Sequence, residues 1–189
     1  MLKAAACIFS CIFKIYFLIA MKTKTLTRCA LLSACALIIF IFEAQLPPLV
    51  PVPGIKPGLA NIMTLLAFFT VGRRGAFSVL IVRIILGSVF TGNAMSALFS
   101  LAGGILAYFA MLLMLRFFKS PVPASVAGAC AHNAGQIAAA VLITKTPQVV
   151  YYLPVLLASA VVTGLFTGFV CRGILKIIST RESGRERDR

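Results

Sequence analysis

Glu43, Arg83 and His132 are ionisable side chains set inside apolar stretches of this 189-residue chain. A charge in hydrocarbon costs about 2.5–3.5 kcal/mol on insertion scales, so each marks a functional position by default. Gln45, Asn61, Asn93, Asn133 and Gln136 are their neutral companions. His132 and Gln136 are four residues apart and share one helix face, with Asn133 beside them. Such a set can bind a small polar molecule, or it can hold helices together by hydrogen bonds. For Glu43 and Arg83 the same two readings are contact with a ligand or a buried ion pair. Neither a Ser-His-Asp nor a Cys-His set with usable geometry occurs. The six cysteines (Cys7, Cys11, Cys29, Cys35, Cys130, Cys171) lack metal or disulfide spacing and read as small packing residues. The pattern points to binding rather than catalysis, with no metal and no cofactor.

The elements that must position these groups are membrane helices. The chain is 61% apolar and 12% charged, with a mean hydropathy of +1.05. Soluble domains carry about 25% charged residues, so this composition describes an all-α integral membrane protein. Spans are expected near Arg28–Leu46, Gly58–Val71, Gly75–Phe90, Ala94–Phe118, Val122–Ile143 and Val149–Cys171, the second and third being short. With six spans and a cytoplasmic start, Lys22, Lys24, Arg28, Arg73, Arg74, Arg116, Lys119, Arg172, Lys176, Arg181, Arg185, Arg187 and Arg189 lie inside. Only Lys56 and Lys145 then lie outside, a strong positive-inside pattern that places both ends of the six-helix core in the cytoplasm of a bacterial-type plasma membrane. The net charge of +14 is therefore mostly topology and does not call for a nucleic-acid partner.

At 1.5 Å rise per residue, Arg83 lies about 14 Å beyond Arg74 and His132 about 16 Å beyond Pro121, both near mid-membrane. Gln136 and Glu43 reach about 22 Å, so the polar set fills the middle and outer half. Pro47, Pro48, Pro51 and Pro53 end the first helix, because proline removes a donor and clashes with the preceding turn. Pro57 suits the first position of the next helix. The free N–H groups of that helix, with Lys56 beside them, form an anion-attracting corner. Gly54 and Gly58 permit close backbone approach. The segment reads either as a lid over a pocket or as a plain proline-rich outer loop.

Small residues recur at four-residue spacing: Ala30 and Ala34; Ser96, Ser100 and Gly104; Ala127, Ala131, Gly135 and Ala139; Gly164 and Gly168. Each stripe allows close helix approach, inside the bundle or against a partner. Residues 1–20 are apolar yet carry Lys3 and Lys14. They read as a signal-like segment, a seventh or interfacial helix, or an extension upstream of a start at Met21. The expected organisation is thus an extension over 1–20, a six-helix domain over 21–178, and a basic polar tail over 179–189 without fixed structure.

The string PGIKPGLANIMTLLAFF (Pro53–Phe69) resembles the membrane family of heptaprenyl diphosphate synthase component I, also called the Gx transporter family. RIILGSVFTG (Arg83–Gly92), SALFSLAGG (Ser96–Gly104) and AHNAGQI (Ala131–Ile137) add to the match. The resemblance covers about residues 25–175. One departure is Pro57, where the family's K-L-G-L-A-N run has leucine. The family is similar in turn to the six-helix substrate-binding components of energy-coupling-factor transporters. That likeness implies a loop over a ligand at Pro53–Gly58 and a face for a coupling subunit at Ala30 and Ala34.

The two family names imply different functions. A prenyltransferase needs aspartates to hold Mg²⁺ on a diphosphate, and the one aspartate here is Asp188 in the tail. No Walker loop is present to power transport. The reading is a non-enzymatic component for binding and uptake of a small molecule, anionic by complementarity to Lys56, working with a transmembrane coupling subunit and ATPases. The alternative is a non-catalytic membrane subunit that works with a soluble prenyl diphosphate synthase. Candidate ligand contacts are Glu43, Lys56, Asn61, Arg83, His132, Asn133 and Gln136; candidate partner contacts are Ala30 and Ala34.

Overall fold

A computed structural model of the chain describes residues 23–45, 58–92 and 94–187. Six helices occur among them: α1 (Thr23–Gln45), α2 (Asn61–Thr70), α3 (Gly72–Thr91), α4 (Ala94–Phe117), α5 (Pro121–Thr144) and α6 (Leu153–Arg187). A 3-10 turn, Pro147–Tyr152, leads into α6, and no strand is present among the described residues. The segments Thr23–Glu43, Met95–Phe117, Pro121–Thr144 and Pro147–Arg181 are long and apolar enough to cross a membrane, as expected of a multi-pass membrane protein. The proline-rich segment with Lys56, and residues 1–20, lie outside the described residues.

The two spans expected to be short differ from the other four. α3 has 20 residues, enough for about 30 Å, but carries Arg73, Arg74 and Arg83. α2 has 10 residues and rises about 15 Å, half the hydrocarbon thickness. A half-length helix is stable in a membrane where protein rather than lipid surrounds it. That condition is met, because α2 touches all five other helices. Its Asn61, Ile62, Thr64, Leu65, Leu66 and Ala67 are buried.

Gly72, at φ +79°, turns the chain between α2 and α3, a conformation that glycine adopts without steric cost. Beside that turn Cys29, Ala67, Ala76, Val79 and Tyr108 form one core cluster, while Leu65, Met111, Ala124 and Cys171 belong to another. Arg28, Arg73, Arg116, Lys119 and Arg172 stand within a few residues of these clusters in sequence, so the bases gather at one end of the bundle.

Most small-residue stripes are internal packing. A Cβ on Gly164 would meet Val126 Cα at 2.7 Å, and one on Gly135 would meet Gly103 Cα at 2.9 Å. Ala30 and Ala34, by contrast, are exposed on α1. The tail from Ser179, expected to lack fixed structure, continues α6 as far as Arg187. Arg and Glu are good helix formers, and extending an existing helix avoids the cost of nucleation. The described cysteines, Cys29, Cys35, Cys130 and Cys171, are free thiols in buried or half-buried positions, as the packing reading requires.

Candidate functional site

The site is built around the turn that opens α2. Asn61, Ile62 and Met63 donate to the carbonyls of Gly58, Leu59 and Ala60, so the chain enters the helix through tight turns. The N–H groups of Leu59 and Ala60 have no helical acceptor, as at any helix start. Glu43, near the end of α1, takes both: Leu59 N–H donates to one carboxylate oxygen at 2.5 Å and Ala60 N–H to the other at 3.3 Å. The carboxylate is thus a cap supplied from another helix, in the place where a helix dipole favours negative charge.

Arg83, in the middle of α3, is 2% exposed. Its Nη2 donates to Asn61 Oδ1 at 3.0 Å, and its charge is attracted by Glu43. Glu43, Asn61 and Arg83 therefore form one network at the head of α2. Arg83 Nε and Asn61 Nδ2 have no hydrogen-bond partner among the described residues. A buried donor without a partner costs about 1–3 kcal/mol, more when charged, which leaves unspent binding capacity here.

His132 of α5 closes the other side. A Cβ on Gly58 would lie 2.7 Å from its Cδ2, so the imidazole packs directly on the glycine backbone. Gly58 has φ +80°, so a side chain there would be strained as well as crowded. On its far edge His132 Nδ1 lies against Gly103 of α4. Phe40, Glu43, Gly58, Arg83, Ser100 and His132 enclose a cavity of about 10 Å³, room for about one water. One cation, one anion, an imidazole and a hydroxyl converge on it. That set can bind a small polar molecule, but it presents no nucleophile with a base aimed at it. Among the described residues no group of three His, Cys, Asp or Glu side chains is placed to hold a metal ion.

The structure thus brings together Glu43, Asn61, Arg83 and His132 from four helices. It does not add Asn133, whose Nδ2 donates to the Leu156 carbonyl of α6 at 2.8 Å and so ties α5 to α6. One residue along a helix turns the side chain by about 100°, which is why His132 and its neighbour face different partners. Gln136 is fully buried against Gly103, one turn away from the cavity wall. Lys56 lies outside the described residues. Ser100 and Phe40 were not among the residues expected to line a site. Ser100 belonged to the small stripe of α4, and no signal in sequence distinguishes Phe40 from the other apolar residues of α1.

The family model of heptaprenyl diphosphate synthase component I matches residues 32–174, which include all of α2 to α5 and most of α1. The chain belongs to this family. Component I is a non-catalytic subunit family. No curated protein and no solved structure matches the chain. The match to component I takes in Glu43, Asn61, Arg83 and His132 and leaves out residues 1–31.

Proposed function

We propose that this component I protein is a membrane-embedded binding subunit that takes a small anionic molecule at the Arg83–His132 cavity and works with a separate partner. The observation that carries the reading is Arg83: a fully buried guanidinium on a cavity wall, supported by Asn61 and Glu43, with Nε unpartnered among the described residues. Ionisable groups at membrane depth mark substrate pathways because they are too costly to keep for packing alone. The cavity of about 10 Å³ has room for about one water, so a larger ligand requires it to widen. Entry of a ligand displaces the opening turn of α2 at Gly58, and the preceding loop with Lys56 supplies a second cation from the outer side. In this reading the chain passes through the membrane six times, the half-length α2 making its passage inside the bundle, with the basic end of the bundle cytoplasmic. The energising partner is a coupling subunit with ATPases, docked at the exposed Ala30 and Ala34 of α1.

A second reading is favoured by the family match: a membrane subunit that recruits a soluble prenyl diphosphate synthase. Pull-down separates the two, since one returns a membrane protein with ATPases and the other a soluble, aspartate-rich enzyme. The binding site itself is tested by native mass spectrometry of the detergent-purified protein. A small anionic molecule is expected with the wild type and is lost in Arg83→Gln. A wild-type protein that carries nothing, from cells and from lysate-incubated samples alike, refutes the binding reading.

A further inference from the structure

A second cavity, of about 310 Å³, opens at the basic end of the bundle between α2, α3 and α4. Phe68, Phe69, Arg73, Leu112, Leu115 and Lys119 line it. Its volume lies within the range of small-molecule sites, about 300–1,000 Å³. The lining is sorted by depth. The apolar stretch of α4 ends at Phe117 and Lys119 follows two residues later, which is where the hydrocarbon edge is expected if α4 spans the membrane. Leu115 and Leu112 lie one and two turns inside it, the deeper about 10 Å from Lys119 along the helix. Arg73 lines the same cavity from the first turn of α3.

The Arg73 wall is held in place. Tyr108 donates its O–H to the Arg73 carbonyl at 3.2 Å and stacks on Phe68 with ring centroids 5.0 Å apart. The first turn of α3 contains no acid. Arg73 and Arg74 stand there instead, where the helix dipole disfavours cations, and a bound anion relieves that cost. Two cations at the membrane edge above an apolar pocket are complementary to an amphiphile with a phosphate head and a hydrocarbon chain.

We infer that this cavity is a binding site for an anionic phospholipid of the surrounding leaflet, its phosphate between Arg73 and Lys119 and the start of one chain along Phe69, Leu115 and Leu112. The space admits a head group and the first carbons of a chain, so the remainder runs out into the bilayer past the exposed Phe69. The inference is independent of any ligand at Arg83 and needs only that the basic end meets the membrane surface.

The test is native mass spectrometry of the full chain taken from vesicles of phosphatidylglycerol and phosphatidylcholine. The wild type is expected to retain one phosphatidylglycerol. At about 1 kcal/mol for each cation near an anionic surface, Arg73→Gln with Lys119→Gln lowers its occupancy roughly 30-fold. Leu112→Trp, which narrows the apolar part of the cavity and keeps both charges, lowers it as well; Leu115→Trp serves if that variant does not fold. Arg172→Gln with Lys176→Gln removes two bases of the same end that do not line the cavity, and retention should persist. Equal loss in that control, or retention in a folded tryptophan variant, overturns the site. So does a wild type that holds added farnesyl diphosphate in preference to phosphatidylglycerol.

Discussion

Glu43→Gln tests whether the head of α2 is held by a charge from α1. The carboxylate accepts two backbone N–H groups and attracts Arg83. Glutamine retains one acceptor oxygen, for Leu59, and turns an NH₂ toward the N–H of Ala60. It also leaves Arg83, 2% exposed, without its counter-charge. Breaking a buried pair in this way costs about 3–5 kcal/mol. For a chain of this length 3 kcal/mol corresponds to a fall in Tm of about 6–12 °C. The protein has no tryptophan, but Cys29 and Cys171 are buried free thiols. Thermal unfolding in detergent is therefore read with a thiol-reactive dye, whose signal rises as those cysteines open. Arg83→Gln is measured alongside, and the double variant closes the cycle. If the two groups share one network, the double variant loses less than the sum of the singles, by about 0.5–3 kcal/mol. Costs that add within about 0.5 kcal/mol, or a Tm unmoved by Glu43→Gln, refute the shared network.

Gly58→Ala should destabilise by about 2–5 kcal/mol, from left-handed backbone strain plus overpacking on His132, and the same dye assay reads it. Lys56→Ala should weaken binding of the co-purifying anion roughly 10- to 100-fold, the worth of a charge-assisted contact, while Lys56→Arg keeps part of it. An affinity indifferent to Lys56→Ala and to salt would make that lysine a surface charge only. Leu at both Ala30 and Ala34 should abolish capture of a partner without moving the Tm, because both positions are exposed on α1. Unfolding of the isolated double variant would instead assign the pair to internal packing.

Composition and run length alone pointed to a helical membrane protein, because 61% apolar residues in long runs fit membrane helices and lack the apolar–polar alternation of a barrel strand. The places of the helices were legible too, since proline, glycine and arginine clusters interrupt the hydrocarbon at Gly72–Arg74 and Lys119–Pro121. Glu43, Arg83 and His132 are conspicuous in sequence because charge is costly there, and the fold brings these three to one candidate cavity. Their partners were not legible. In a soluble helix the apolar face points to the core, but in lipid both faces are apolar and periodicity carries little information about orientation. Only tertiary packing decided that α2 is a half-length helix enclosed by the other five, that Asn133 belongs to α6, and that Ser100 joins the cavity. The same holds for Glu43 and the turn at Leu59 and Ala60, 16 and 17 residues along the chain. A proline-rich segment lies between them, and no local rule of spacing reaches across it.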